Sequence, residues 1–134
     1  MGKIFYVDKE LFDTYQRVIR ESQGLIERLK SNNFDVCVAD KIQTMGFLNF
    51  CHYDFSEENY AKRLQTISEI LKKYDFLVSH LGIKSQRNLP KLLDNLPNLG
   101  IAFISDIPSH YDVDGKMGVF SYDSLKIIDF LKSK

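Results

Sequence analysis

The sequence is short of most features that would announce a function by themselves. It holds only two cysteines in 134 residues, Cys37 and Cys51. Two unclustered cysteines make neither a disulfide framework nor a zinc site. Lys+Arg and Asp+Glu number 18 each, so the net charge is zero. That balance excludes the overall basic excess from which nucleic-acid binders draw phosphate affinity. No apolar stretch approaches the roughly 20 residues needed to cross a bilayer. No signal-peptide pattern precedes the first apolar run, so a cytoplasmic protein with no membrane partner is expected. There is no G-x-G-x-x-G fingerprint, no Walker A loop and no G-x-S-x-G elbow.

What remains is a globular chain of 44% hydrophobic and 27% charged residues, the length of one domain. Five short apolar runs stand out: Ile4–Val7, Val36–Ala39, Phe76–Ser79, Ile101–Ser105 and Val119–Tyr122. Each is rich in β-branched or aromatic residues and nearly continuous, the pattern of strands buried on both faces. Cys37, inside the second run, reads as a small buried hydrophobe.

Helical periodicity separates these runs. Leu11, Phe12, Tyr15, Val18, Ile19, Leu25, Ile26 and Leu29 recur at three- and four-residue steps, with Gly24 as a point where the helix can kink. Tyr60, Leu64, Ile67, Ile70 and Leu71 make a second stripe over Glu57–Lys73. A shorter helix is expected over Leu89–Leu96, with Pro90 in its first turn and Pro97 as its stop. A last one spans Leu125–Leu131. Alternation of strand and helix predicts one α/β domain over 1–134. The expected architecture is a three-layer, doubly wound, Rossmann-like parallel sheet with helices on both faces, in the flavodoxin-like order 2-1-3-4-5.

In such sheets ligands bind beyond the carboxyl ends of the strands, at the switch in strand order. The residues that follow the five strands are Asp8, Asp40, His80, Asp106 and Asp123. Four acids and a histidine on one rim suit Mg²⁺ or a polar ligand, since hard cations take oxygen ligands. The competing reading is helix capping, in which each aspartate accepts backbone N–H bonds. His80 is either a satisfied structural histidine or a ligand contact able to exchange a proton near neutral pH.

Two connections stand apart. Lys41–Phe55 carries Met45, Phe47, Leu48, Phe50, Tyr53 and Phe55, far too many apolar residues for a solvated loop. It could wall a pocket for a flat ligand, with Phe47 and Phe50 as faces and Asn49, His52 and Asp54 as polar groups. It could equally fold over the core or form a homodimer contact. The second, residues 107–117, contains His110, Asp112 and Asp114 without a recognisable ligand spacing, and reads as a solvated acidic loop. Lys84, Arg87 and Lys91 read as a solvated basic face.

Two family resemblances follow. Lys3-Ile4-Phe5-Tyr6-Val7-Asp8-Lys9-Glu10 is similar to the opening strand and acidic turn of response-regulator receiver domains. Tyr74–Val78 resembles their third strand, Ile101–Ser105 their fourth, with Ser105 at the switch hydroxyl, and Met117–Leu131 their fifth strand and last helix. At the phosphoacceptor position stands His80, one of the paired acids is Lys9, and the lysine position falls near Ser121 or Tyr122. This resemblance implies a pseudo-receiver, a non-catalytic regulatory module read by protein partners. The chain also resembles the nucleoside 2-deoxyribosyltransferase family in Ile4-Phe5-Tyr6, Leu11-Phe12, the segment before Tyr60 and Ala61–Leu81. That resemblance implies a small nucleoside-like ligand, although no glutamate lies between Gly82 and Gly100 to serve as the family's nucleophile.

Overall fold

The computed structural model describes residues 2–12, 16–52, 60–81, 89–105 and 117–133. Five strands pair into one sheet: β1 (Lys3–Asp8), β2 (Asp35–Val38), β3 (Phe76–His80), β4 (Gly100–Ile104) and β5 (Met117–Phe120). All four pairings are parallel and the order is β2-β1-β3-β4-β5, the doubly wound order expected from the alternating pattern. The helices are α1 (Gln16–Ser31), α2 (Lys41–His52), α3 (Tyr60–Leu71) and α4 (Lys126–Lys132). Short 3₁₀ segments occupy Lys9–Phe12 and Leu89–Asp94.

Strand alternation divides the core into two layers. Phe5, Val7, Leu77, Ile101 and Phe103 face one side and pack with Phe47, Phe50, Leu64, Ile67 and Leu71 of α2 and α3. Ile4, Tyr6, Phe76, Val78, Ala102 and Ile104 face the other, against Leu25, Ile26 and Leu29 of α1 and Ile127, Ile128 and Leu131 of α4. Period-2 strands and period-3.6 helices thus bury complementary stripes. The sheet's amino edge closes on Phe76. A Cβ at Gly2 would lie 2.5 Å from its Cε2, and one at Gly100 would lie 2.7 Å from its Cδ1, so only glycine admits the ring there. α1 runs unbroken through Gly24 and ends on Asn33, whose φ of 70° lets the Phe34 N–H return to the Leu29 carbonyl at 3.2 Å.

Four sequence expectations need correction. The apolar segment after β2 is not an irregular loop: Tyr53, Asp54 and Phe55 lie outside the described residues, and from Lys41 to His52 it is the core helix α2. Asp40 starts it with a reciprocal capping box: the Gln43 N–H donates to Asp40 Oδ1 at 2.8 Å, and the Asp40 N–H donates to Gln43 Oε1 at 3.0 Å. Cys37 is exposed rather than buried, because β2 is an edge strand with three of its four residues open to solvent. The last strand ends at Phe120, which moves Tyr122 off the sheet and into the turn before α4. The Leu89 segment is a 3₁₀ turn rather than an α-helix.

Candidate functional site

The parallel register sets Asp8 directly beside His80 at the carboxyl ends of β1 and β3, which is the switch point of the sheet. Both carry the parity of Ile4, Tyr6, Phe76 and Val78, so they close the layer that faces α1 and α4. Three further side chains from that layer reach them: Tyr6 from β1, Ser22 from α1 and Tyr122 from the turn after β5.

Asp8 is 1% exposed, and every oxygen of its carboxylate is engaged. Oδ2 accepts from Ser22 Oγ at 2.7 Å and from Tyr122 Oη at 2.5 Å, and Tyr6 Oη lies 3.3 Å from it. Oδ1 accepts the Glu10 backbone N–H at 2.9 Å and faces His80 Nδ1 at 3.3 Å. Nδ1 also contacts Tyr122 Oη, and the two rings meet edge to face with centroids 5.1 Å apart. Tyr6 Oη lies 2.8 Å from Ser22 Oγ.

The electrostatics follow from these contacts. Burial alone would raise the Asp8 carboxyl, but hydrogen bonding and charge attraction from His80, with the bonds from Tyr122 and Ser22, hold it below the ordinary carboxylate value. Tyr6 and Tyr122 are both pushed up, first by burial and then by the Asp8 charge, so their hydroxyls remain protonated donors. A carboxylate saturated by protein donors has no lone pair to offer a cation. Asp8 therefore does not fit an Mg²⁺ site. Among the described residues, no group of three or more His, Cys, Asp or Glu side chains is placed to hold a metal.

The other rim residues are not brought to this point. Asp40 is exposed and caps α2. Asp123 is exposed and accepts from Ser121 Oγ at 2.8 Å, while the hydroxyl near the start of α4 that bonds a backbone N–H belongs to Ser124. Asp106 and the whole 107–116 segment lie outside the described residues, as do Asp54, Lys84, Arg87 and the side chain of His52. Phe47 and Phe50 do not wall an open pocket. They are 0% and 1% exposed, and they stack in the core on Phe5 and Tyr60 respectively.

Reading the strand ends alone singles out Asp8 and His80 but misses Tyr6, Ser22 and Tyr122. Ser22 did carry a signal: it is a polar residue on the core-facing stripe between Ile19 and Leu25. On the opposite side of the sheet, Ser79 Oγ is fully buried and has no hydrogen-bond partner among the described residues. A groove of about 580 Å³ lies at the amino edge around Asn32, Phe34, Asp75 and Asn98, away from the cluster. A smaller one of about 320 Å³ adjoins Tyr122 and is bordered by Arg20, Gly24, Arg28 and Asp123, with Arg28 donating to the Tyr122 carbonyl.

No protein-family model matches the chain, and no curated protein matches it. Its fold is similar to that in the crystal structure of a fragment named "putative lipoprotein" from Peptoclostridium difficile 630. The TM-score is 0.58 at 12% sequence identity, over 99% of this chain and 98% of that one. Likeness at this identity carries the fold alone. No described helix is long and apolar enough to cross a membrane.

Proposed function

We propose that this chain is a non-catalytic regulatory or interaction module of receiver-like α/β type, whose recognition point is His80 at the carboxyl edge of the sheet. One observation carries the reading. The acid that would bind Mg²⁺ or assist phosphoryl transfer in a receiver, Asp8, is 1% exposed and holds Ser22, Tyr122, His80 and the Glu10 amide instead. The neighbouring position that would carry the phosphoacceptor is His80, and the acid after β2, Asp40, is committed to its helix. A fully satisfied buried network of this kind fixes a shape rather than a reaction.

The test is incubation with a small phosphodonor, acetyl phosphate, and Mg²⁺, followed by intact-mass measurement and amide chemical-shift mapping. Unchanged mass, with no Mg²⁺-dependent shift at Asp8 or His80, is the expected result. A phosphoryl adduct would overturn the reading.

A second reading, a nucleoside or nucleotide binder or an N-glycosidase-type enzyme, is supported by the location of the Asp8–His80 pair at the switch point, where α/β sheets take ligands. Turnover of any nucleoside, abolished in His80→Ala, would select it over the first.

A further inference from the structure

The cluster contains one ionised acceptor and several groups that each bring a single proton, so the protons can be counted. Tyr122 Oη lies 2.5 Å from Asp8 Oδ2, and a carboxylate is the strongest acceptor within reach, so the tyrosine proton goes there. Ser22 likewise spends its proton on Oδ2 at 2.7 Å, which leaves Tyr6 to donate to Ser22 Oγ at 2.8 Å. His80 Nδ1 then faces two oxygens, Tyr122 Oη and Asp8 Oδ1, neither of which has a proton left to give it. A bare Nδ1 would set lone pair against lone pair at both contacts. Nδ1 must carry the hydrogen.

Resting on the proposal that His80 is the recognition point, we infer that Asp8 and Tyr122 are positioning residues that lock His80 as the Nδ1–H tautomer. In its neutral form the ring then offers the Nε2 lone pair to a ligand bearing a neutral N–H or O–H donor, such as an amide, imide or hydroxyl. The two nitrogens lie on different edges of the imidazole. The edge facing Asp8 and Tyr122 is occupied, and Nε2 is turned away from them. The His80 side chain retains 13% exposure, whereas that of Asp8 retains none, so the histidine is the member of the pair that meets the outside. A second-layer carboxylate that fixes which imidazole nitrogen is bare is a general device for orienting a histidine. The Asp8 charge behind the ring favours a donor in front of it and disfavours an anion.

Long-range ¹H–¹⁵N correlation of the imidazole nitrogens in the whole chain tests this, with His80 distinguished from the other two histidines by sequential assignment. At a pH where the ring is neutral, the expected pattern is a protonated-type nitrogen at Nδ1 and a bare-type nitrogen at Nε2. Tyr122→Phe keeps the aromatic ring and removes one of the two Nδ1 acceptors, so the Nδ1–H fraction should fall in that variant. A merely structural tyrosine would leave it unchanged. The ligand class is tested by titrating succinimide, which has one neutral imide N–H, against N-methylsuccinimide, which has none. A shift of Nε2 with the first and not the second supports the assignment. Equal shifts, or none with succinimide up to its solubility limit, overturn the ligand class. A wild-type ring found as the Nε2–H tautomer overturns the inference outright and leaves the regulatory reading to the phosphodonor experiment.

Discussion

Replacing Asp8 with asparagine keeps the shape of the side chain and removes its charge. An asparagine carbonyl can take over at Oδ2 and accept from Ser22 and Tyr122, but its amide group then sits where Oδ1 met the Glu10 N–H and His80 Nδ1. Two bonds lose charge assistance, falling by about 1 kcal/mol each from the roughly 1.5–3 kcal/mol of a hydrogen bond to an ion. His80 can recover by moving its proton to Nε2 and accepting from the amide. The Glu10 N–H cannot, and at this part-buried point an orphan donor costs about 1 kcal/mol, the low end of the range for a buried one. The sum is a destabilisation of about 3 kcal/mol, which for a chain of this size lowers Tm by about 10 °C. Urea unfolding of wild type and Asp8→Asn at neutral pH measures it directly. The pH dependence supplies a second check. Because the folded Asp8 carboxyl titrates below its ordinary value of 3.8, the ionised group stabilises the fold fully above that value. Its contribution is lost as the pH falls through the still lower folded pKa. The gap between wild type and variant should therefore close as the pH falls below about the ordinary carboxylate value. A variant within about 0.5 kcal/mol of wild type at neutral pH, the scale of an ordinary surface substitution, would refute the network as described.

Other substitutions address separate parts of the structure. Phe47→Ala should cost about 3–5 kcal/mol in chemical unfolding, as removal of a buried ring does, whereas a ring walling an open pocket would be removed at little cost. Asp40→Ala should destabilise by about 1 kcal/mol through loss of the α2 cap, with no change in the His80 nitrogen shifts. Ser79→Ala should leave stability unchanged or raise it by about 1 kcal/mol, since it removes a buried hydroxyl that no described residue satisfies. A clear loss would show that this hydroxyl is hydrogen-bonded. Gly100→Ala should cost about 1–3 kcal/mol by overpacking against Phe76, read from the thermal midpoint.

Strands β1, β3 and β4 were legible because they are central. Buried on both faces, they read as unbroken apolar runs, and their parallel order follows from the helices between them. The same reasoning misjudged Cys37, because an edge strand can be as apolar in sequence as a central one while only one of its sides is covered by a neighbouring strand. α2 hid behind its own composition. Thr44, Phe47 and Phe50 point inward at three-residue steps, but Ile42 and Met45 remain 84% and 49% exposed, so the apolar residues occupy more than one face and blur the period. The Asp40–Gln43 pair was the readable signal there, and it outweighs a poor stripe because it starts the helix by direct hydrogen bonds. In the site, strand ends locate Asp8 and His80, since a parallel sheet aligns them. Tyr122 was beyond sequence reasoning, because its approach depends on where β5 stops and how the following turn folds back.

The decisive physical question at this rim is what the buried negative charge is used for. An acid that serves a metal must keep oxygen lone pairs open, and Mg²⁺ in particular demands near-octahedral oxygen geometry. Admitting such an ion to Asp8 would require Ser22, Tyr122 and the Glu10 amide to give up their acceptor, leaving two buried donors and one part-buried donor to satisfy at once. Each costs about 1–3 kcal/mol, a sum that competes with the stability of a typical domain. The charge is instead spent on orientation. Asp8 fixes Tyr122, and the two together fix His80. A strand-end aspartate in this fold is therefore distinguished as a metal ligand or as a lock by the number of protein donors already on its oxygens, and the register partner it locks is where recognition should be sought.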